Sequence, residues 1–343
     1  MRKRIFSGIK PTGDLHIGNY LGAIKNWIAL QDEIDTNVDG DISYKYDCIY
    51  SIVDLHAMTT EYTPETLKEN VFKIACNYLA CGLDPKKSIL MVQSSVKYHA
   101  ELCWILNCLT PVSWLERVPT FKEKILTQEE NINMGLLDYA VLMTADVILY
   151  NAVAVPVGED QLPHLELARE ILRRFNSRFG ETFPELKGIL SKGARVKGLD
   201  GAEKMGKSLD NCIYLYEDYD MMWHKISKAV TDTARIKKTD AGNPEVCNIY
   251  SLQKLFSDPK DLDFVVNGCK NAEIGCIQCK KLLTQNMCEE LEPIRSKYLD
   301  FMKKPDFVFD ILHEGSIKAN RIAQGVMDEV YQKIGINYTF LKK

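Results

Sequence analysis

Two short stretches carry the residue types that hold phosphates. Asp14-Leu15-His16-Ile17-Gly18-Asn19 lies near the start, and Glu203-Lys204-Met205-Gly206-Lys207-Ser208 lies past the middle. The first falls between a predicted strand, Lys3 to Ser7, and a predicted helix that begins near Gly18. A helix N-terminus offers unpaired N–H groups and a partial positive charge, so an anionic group settles there. Gly13 and Gly18 permit close backbone approach, and His16 and Asn19 can donate to phosphate oxygens. The second stretch puts Lys204 and Lys207 on a short glycine-centred loop, and ammonium groups on flexible stems suit a phosphorus centre on which negative charge grows. Singly, His16 reads equally as a capping histidine and the lysines as a solvated face. Their joint presence, in this order, points to ATP cleavage with nucleotidyl transfer.

A third stretch, Gly135 to Val155, reads as an apolar helix in which Tyr139, Met143, Asp146 and Tyr150 share one face. A lone carboxylate in such a run is costly to bury and needs a partner. Asp146 is then either satisfied within the core or faces a pocket walled by Tyr and Met, set for an apolar ligand with one N–H or O–H donor. Val155-Pro156-Val157-Gly158-Glu159-Asp160-Gln161 reads as a strand, a turn and a helix start, supplying pocket wall and polar groups for an amine or a ribose.

These groups need a scaffold, and the first half alternates strand and helix patterns. Asp47 to Asp54 and Ser88 to Gln93 read as buried parallel strands. Thr63-Pro64-Glu65 is a helix start, and that helix is expected to run to Cys81 and stop at Gly82. The alternation implies an α/β fold, a Rossmann-like doubly wound parallel sheet with ligands at the carboxyl ends of its strands. Residues 36 to 46 read as a polar surface excursion. From about Glu217 helical patterns dominate, which predicts a second, all-helical domain. The expected division is a catalytic domain over 1–214 and a helical domain over 215–315, with residues 316–343 packing back on the first.

A chain of 343 residues with 46% hydrophobic content is expected to form two domains. No apolar run approaches the ~18 residues of a membrane span. The basic start, Met1-Arg2-Lys3-Arg4, is followed too soon by charged and Gly/Pro residues for a signal peptide. A net charge of −4 means that any nucleic-acid surface must be local. Eleven cysteines without a secretion signal imply a reducing, cytoplasmic setting.

Across essentially its whole length the chain resembles class I aminoacyl-tRNA synthetases, and within them the bacterial tryptophanyl group. The resemblance rests on Ile5-Phe6-Ser7-Gly8-Ile9-Lys10-Pro11-Thr12-Gly13, the HIGH-type His16-Ile17-Gly18-Asn19, Val53-Asp54-Leu55-His56-Ala57 and Phe121-Lys122-Glu123-Lys124. It continues through Met143-Thr144-Ala145-Asp146, Gly158-Glu159-Asp160-Gln161 and the KMSKS-type Lys204-Met205-Gly206-Lys207-Ser208. It implies ATP-dependent charging of tRNA(Trp) by a homodimer with a helical anticodon-binding domain. It also implies Mg²⁺ carried by the ATP. Asp146 then reads the indole N–H, and Phe6, Gly8, Met143, Val155 and Val157 wall the tryptophan pocket with Tyr139. Tyr139 and Gln161 hold the α-amine, with His56 nearby. Lys10, Pro11, Thr12, Gly18, Asn19, Gly158, Asp160, Met205 and Ser208 contact ATP. Lys124, Lys204 and Lys207, with His16 and Asn19, serve the triphosphate. Lys10 stands where many relatives carry Gln, and Gly206 replaces the first Ser of the signature loop, which predicts a more mobile loop.

Cys247, Cys269, Cys276 and Cys279 follow a C-x21-C-x6-C-x2-C pattern. Four thiolates suit a 4Fe–4S cluster or tetrahedral zinc, while scattered packing thiols remain the plain alternative. The resemblance favours the cluster, since some bacterial tryptophanyl enzymes carry one with a first gap one residue longer. Cys48, Cys76, Cys81, Cys103, Cys108, Cys212 and Cys288 read as packing residues. Two rivals stand: a tyrosyl-tRNA synthetase, and a catalytically silent paralogue that binds or regulates.

Overall fold

The core strand β1 (Lys3–Ile9) buries Ile5, Phe6 and Ser7 in succession, the pattern of a strand covered on both faces. A small antiparallel pair, β2 (Ile34–Thr36) and β3 (Ile42–Tyr44), follows it. β4 (Tyr46–Ile52), β5 (Ser88–Val92), β6 (Ala154–Val157) and β7 (Lys187–Leu190) then complete a five-stranded parallel sheet in the order β5-β4-β1-β6-β7. The chain is given by a computed structural model that describes residues 2–36, 42–127, 132–158, 161–190, 196–201 and 205–338. β1, β4, β5 and β6 fall where the apolar runs predict strands, while β7 has no counterpart in the sequence reading. β1 extends two residues beyond the expected Ser7, and the polar excursion contributes β3.

From β1 the chain builds β4 and β5 on one side, then returns to build β6 and β7 on the other. That reversal opens a crevice between the carboxyl ends of β1 and β6, where α/β sheets bind their ligands. Helices around the sheet form for local reasons. In Pro64–Cys81, Thr63 and Thr66 make a reciprocal capping box, Pro64 opens the first turn, and Gly82 ends it at φ 110°.

After β7 the described elements longer than one turn are all helices. Tyr219–Ile226, Asn248–Phe256, Pro259–Lys270, Cys276–Phe301 and Pro305–Ile334 make up this half. One apolar core nevertheless runs from Ile5 on β1 through Ile74 and Tyr78 to Leu283, Met287, Leu291 and Leu312. The Cys276–Phe301 helix spans 26 residues, about 39 Å at 1.5 Å per residue. Its cysteine end lies in the helical half. Its other end reaches the first phosphate loop, where the Tyr298 hydroxyl donates to Asp14 at 3.2 Å. Among the described residues no helix is long and apolar enough to cross a membrane.

The Pro305–Ile334 helix lies against β5. The contact is closest at Gly315, where an added Cβ would sit 1.8 Å from the Leu90 carbonyl oxygen. Backbone cannot yield as a flexible side chain does, so the helix must shift. Gly315→Ala is therefore expected to destabilise the protein by about 1–3 kcal/mol, read as a lower denaturant midpoint, despite alanine's better helix propensity. An unchanged midpoint would mean that the helix does not pack this closely.

Candidate active site

A cavity of about 880 Å³ fills the crevice at the strand ends. β1 contributes Phe6, Ser7, Gly8 and Ile9 to its wall, and β6 contributes Val155, Pro156 and Val157. The Met134–Ile148 helix adds Tyr139, Met143 and Asp146. Lys10, Thr12, His16, Asn19, His56, Gly158, Gln161 and Lys207 complete the polar part. Gly8 is required by packing, because a Cβ there would meet the Ser51 carbonyl oxygen at 2.9 Å and Val53 Cγ1 at 2.7 Å.

Asp146 is 2% exposed and sits among three polar groups. Its Oδ1 accepts from Gln93 Nε2 and pairs with His99 Nδ1, both at 2.7 Å. Its Oδ2 pairs with His56 Nε2 at 2.8 Å. Burial alone would raise the carboxyl pKa, but the two histidines outweigh it, and Asp146 is held well below the usual carboxylate range. His56 Nδ1 is buried without a hydrogen-bond partner, and the ring leans against Tyr139 with centroids 4.3 Å apart.

At the other end of the cavity, His16 caps the first helix. Its Nδ1 accepts from the Gly18 N–H at 3.1 Å, and Asn19 Oδ1 accepts from the His16 N–H at 3.2 Å. A Cβ on Gly18 would stand 2.9 Å from the His16 ring, so glycine keeps that ring in place. A π-turn over Tyr20–Ile24 follows before the helix resumes at Lys25. Such turns recur at functional sites. The second loop is tied to this one: Ile17 N–H donates to the Ile213 carbonyl and Leu215 N–H to the Leu15 carbonyl. Lys207 Nζ donates to the Gly13 carbonyl at 2.9 Å, and burial pushes its pKa down against the opposing pull of Asp14. Gly13 holds φ 114°, which a side chain would strain.

The structure thus gathers most of the predicted site residues into one cavity. Pro11, Gly18 and Met205 do not line it, Pro11 and Met205 being buried; the Met205 N–H is already taken by the Val196 carbonyl. Lys204 and Asp160 lie outside the described residues, as do the side chains of Lys124 and Ser208. Tyr150, expected on the cavity face, lies behind it instead, stacked on Phe6 at 5.5 Å just past the helix end. Gly206 holds an extended backbone at φ −152°, so no left-handed conformation demands glycine there. Lys10 lines the cavity with its Nζ donating to Thr59 Oγ1 at 3.1 Å.

Three residues escaped the sequence reading. Gln93 lies just beyond the carboxyl end of β5, where the strand-end rule would have placed it. His99 carries no local signal. Asn211 anchors the second loop: its Oδ1 accepts from the Gly206 N–H at 2.8 Å, and its Nδ2 donates to Asp200 at 3.0 Å.

Among the described residues, no three His, Cys, Asp or Glu side chains stand where they could hold a metal ion. Neither tetrahedral zinc nor a 4Fe–4S cluster therefore has a ready-made seat among the described residues. Cys247, Cys269, Cys276 and Cys279 still converge. Burial raises the Cys269 thiol pKa, Arg235 opposes this, and Cys247 and Cys276 add to it. Burial likewise pushes the Cys279 thiol up to about 11, with Cys247, Cys269 and Cys276 close enough to contribute. Donors surround the sulfurs: Gln253 Nε2 lies 3.5 Å from Cys279 Sγ and Arg235 Nη1 lies 3.6 Å from Cys269 Sγ. A Cβ on Gly242 would stand 2.6 Å from Cys269 Sγ, so the backbone there makes room for the sulfur. Of the cysteines expected to pack, Cys108 is exposed.

The family model described as tRNA synthetases class I (W and Y) matches residues 1–292. The chain is 46% identical to the tryptophan–tRNA ligase of Deinococcus radiodurans, covering 97% of this chain and 98% of that one. It is 41% identical to the tryptophan–tRNA ligase of Thermotoga maritima, covering 98% of this chain and 100% of that one. The crystal structure of Campylobacter jejuni tryptophanyl-tRNA synthetase complexed with ADP and tryptophan superposes with a TM-score of 0.85 at 36% identity, covering 97% of this chain and 99% of that one.

Asn211→Ala removes the acceptor of the Gly206 N–H and a donor to Asp200. The expected loss is about 1–3 kcal/mol in chemical denaturation, with a higher KM for ATP because the Lys207 segment loses its anchor. An unchanged KM would show that the backbone pairing of residues 213 and 215 holds the loop alone.

Proposed function

From its membership of the class I tRNA synthetases of the tryptophan and tyrosine group, to which the chain belongs, we infer that it is a tryptophan–tRNA ligase. It activates L-tryptophan with ATP and transfers it to tRNA(Trp). The observation that carries the choice of amino acid is Asp146, a buried carboxylate in an apolar-walled cavity shared with the phosphate-binding loops. Its Oδ2 accepts one protein donor, which leaves a lone pair for the indole N–H. Phe6, Gly8, Met143, Val155 and Val157 enclose the ring. Tyr139 and Gln161 take the α-ammonium, and the bare Nδ1 of His56 is a further acceptor beside them.

The tryptophan carboxylate attacks the α-phosphorus of ATP. The bond to the bridging oxygen breaks, pyrophosphate leaves, and tryptophanyl-adenylate remains. Positioning and charge stabilisation carry this step, with no covalent enzyme intermediate. Lys10, Thr12, Gly158 and Asp160 accompany the nucleotide, and the capped turn at His16, Gly18 and Asn19 receives phosphate. Lys207, with Lys204 and Lys124, meets the charge that grows as pyrophosphate departs. Mg²⁺ arrives on the ATP phosphates. A hydroxyl of the terminal adenosine of tRNA then attacks the adenylate carbonyl and AMP leaves.

The same reading divides the chain into a catalytic part over 1–214 and an anticodon-binding part over 215–315. It also makes the enzyme a homodimer. Trp104, Val112, Leu126 and Met134 expose apolar side chains on neighbouring stretches of the catalytic part, Trp104 at 70% and Met134 at 73%. Exposed apolar side chains of this kind are expected at a subunit interface. A silent paralogue would have no need of Lys207 and His16 at the cavity wall.

Tryptophan, and not tyrosine, is expected to drive ATP–pyrophosphate exchange. Lys207→Ala should lower that exchange by ~10²-fold or more while tryptophan binding barely changes, the mark of an interaction made in the transition state. Exchange driven equally by tyrosine would overturn the reading.

Cys247, Cys269, Cys276 and Cys279 would hold a 4Fe–4S cluster, which when bound supplies a thiolate-ligated pin for the loops and helix starts that meet there. Beside them Arg235, Lys237, Lys238 and Lys281 line a cavity of about 530 Å³, a local basic surface for the anticodon on a chain of net charge −4. Protein purified without air should be brown, with broad absorbance near ~400 nm. Cys276→Ser should bleach it while tryptophan-dependent exchange persists. Colourless, iron-free anaerobic protein would falsify the cluster, and stoichiometric zinc would restore the tetrahedral alternative.

A further inference from the structure

Behind Asp146 lies a buried polar chain that the reaction as described does not use. His99 is 0% exposed. Its Nδ1 meets Asp146 Oδ1 at 2.7 Å, and its Nε2 meets the Tyr150 hydroxyl at 2.7 Å. Tyr150 is also fully buried, stacked on Phe6. Among the described residues its hydroxyl can also donate to Met91 Sδ at 3.4 Å.

The tautomer follows from these partners. An ionised carboxylate only accepts, so the His99 Nδ1 must carry a hydrogen. At Nε2 the ring meets the Tyr150 hydroxyl, and a ring carrying its one hydrogen on Nδ1 accepts there from the Tyr150 O–H. Burial, with the Asp146 charge behind it, pushes the Tyr150 pKa well above its ordinary value, so that hydrogen stays on the oxygen. The chain joins Tyr150 to His99 and His99 to Asp146.

Its effect is geometric. Gln93 and His99 fill both lone pairs of Oδ1. With that oxygen saturated the carboxylate cannot rotate without breaking two short bonds. Oδ2 is left bonded to His56 with one acceptor place open, on a residue that lines the cavity. We propose that His99, held in orientation by Tyr150, is a positioning residue for amino-acid selection: it fixes Asp146 so that a single acceptor site faces the ligand N–H. This rests on Asp146 being the reader of that N–H.

The test compares kcat/KM for tryptophan with that for 3-benzothienylalanine, in which sulfur replaces the indole N–H, using pyrophosphate exchange by the full-length enzyme. The ratio of the two is the selectivity. His99→Gln removes the donor at Nδ1 and should cut selectivity by about 10-fold or more, mainly by raising KM for tryptophan. His99→Asn keeps an N–H donor near the Nδ1 position and should retain most of it. Tyr150→Phe preserves shape but removes the partner that steadies the ring at Nε2, and should lower selectivity to an intermediate degree, which keeps the idea testable if a His99 variant fails to fold. Asp146→Ala separates the two layers. If it leaves selectivity intact, the underlying reading fails. If it abolishes selectivity while His99→Gln and Tyr150→Phe do not change the ratio, the role given to His99 is wrong. Equal loss for both amino acids in His99→Gln and His99→Asn would also sink it, since that is the signature of packing alone.

Discussion

A carboxylate shut away from water dictates much of how the cavity is built. Ionised and unpaired, Asp146 would cost several kcal/mol at its depth. It is tolerable only because donors arrive from three other elements: His56 from the short Asp54–Ala57 helix, Gln93 from the end of β5, and His99 from the Tyr98–Asn107 helix. Each donor must reach within hydrogen-bond distance of the same two oxygens, so the placement of these elements is coupled. Pocket shape and charge satisfaction are here one requirement. The apolar walls that Phe6, Met143 and Val155 provide could not close around the cavity if the carboxylate at its base still needed water.

The phosphate end obeys a different logic. Its cations must stay able to move with a reacting group, so it is stabilised through backbone. The pairing of Leu15 and Ile17 with Ile213 and Leu215 joins two segments far apart in sequence, and Asn211 completes the anchor. Lys207 rests on a carbonyl oxygen, a partner that a triphosphate readily replaces. A rigid amino-acid end and a yielding phosphate end suit a reaction in which selection precedes charge development.

What was legible in the sequence was what depends on near neighbours. The Pro64–Cys81 helix is written in Thr63, Pro64 and Gly82, within reach of its own ends. The phosphate motifs and the apolar setting of Asp146 also show in a short window. What was not legible depends on distance. His99 and Gln93 lie 47 and 53 positions before the carboxylate they serve, and no periodicity links them. Tyr298 meets Asp14 across 284 positions. Tyr150 kept the helical spacing of its predecessors, but the helix ends at Ile148, and the last turn carries it behind Phe6. Periodicity reports a face only while the helix lasts.

The seat of Gly315 on Leu90 bears on how copies of this chain behave in a crowded solution. β5 is a terminal strand of the sheet, and a terminal strand left bare offers a row of unpaired amide groups on which another strand can template. The Pro305–Ile334 helix occupies that row at backbone contact, so β5 cannot recruit a stranger. The opposite border, β7, is only four residues long and begins with Lys187, too short and too charged to seed an extended ribbon. A glycine deep in a late helix thus serves as protection against aggregation for a strand more than two hundred residues earlier in the chain.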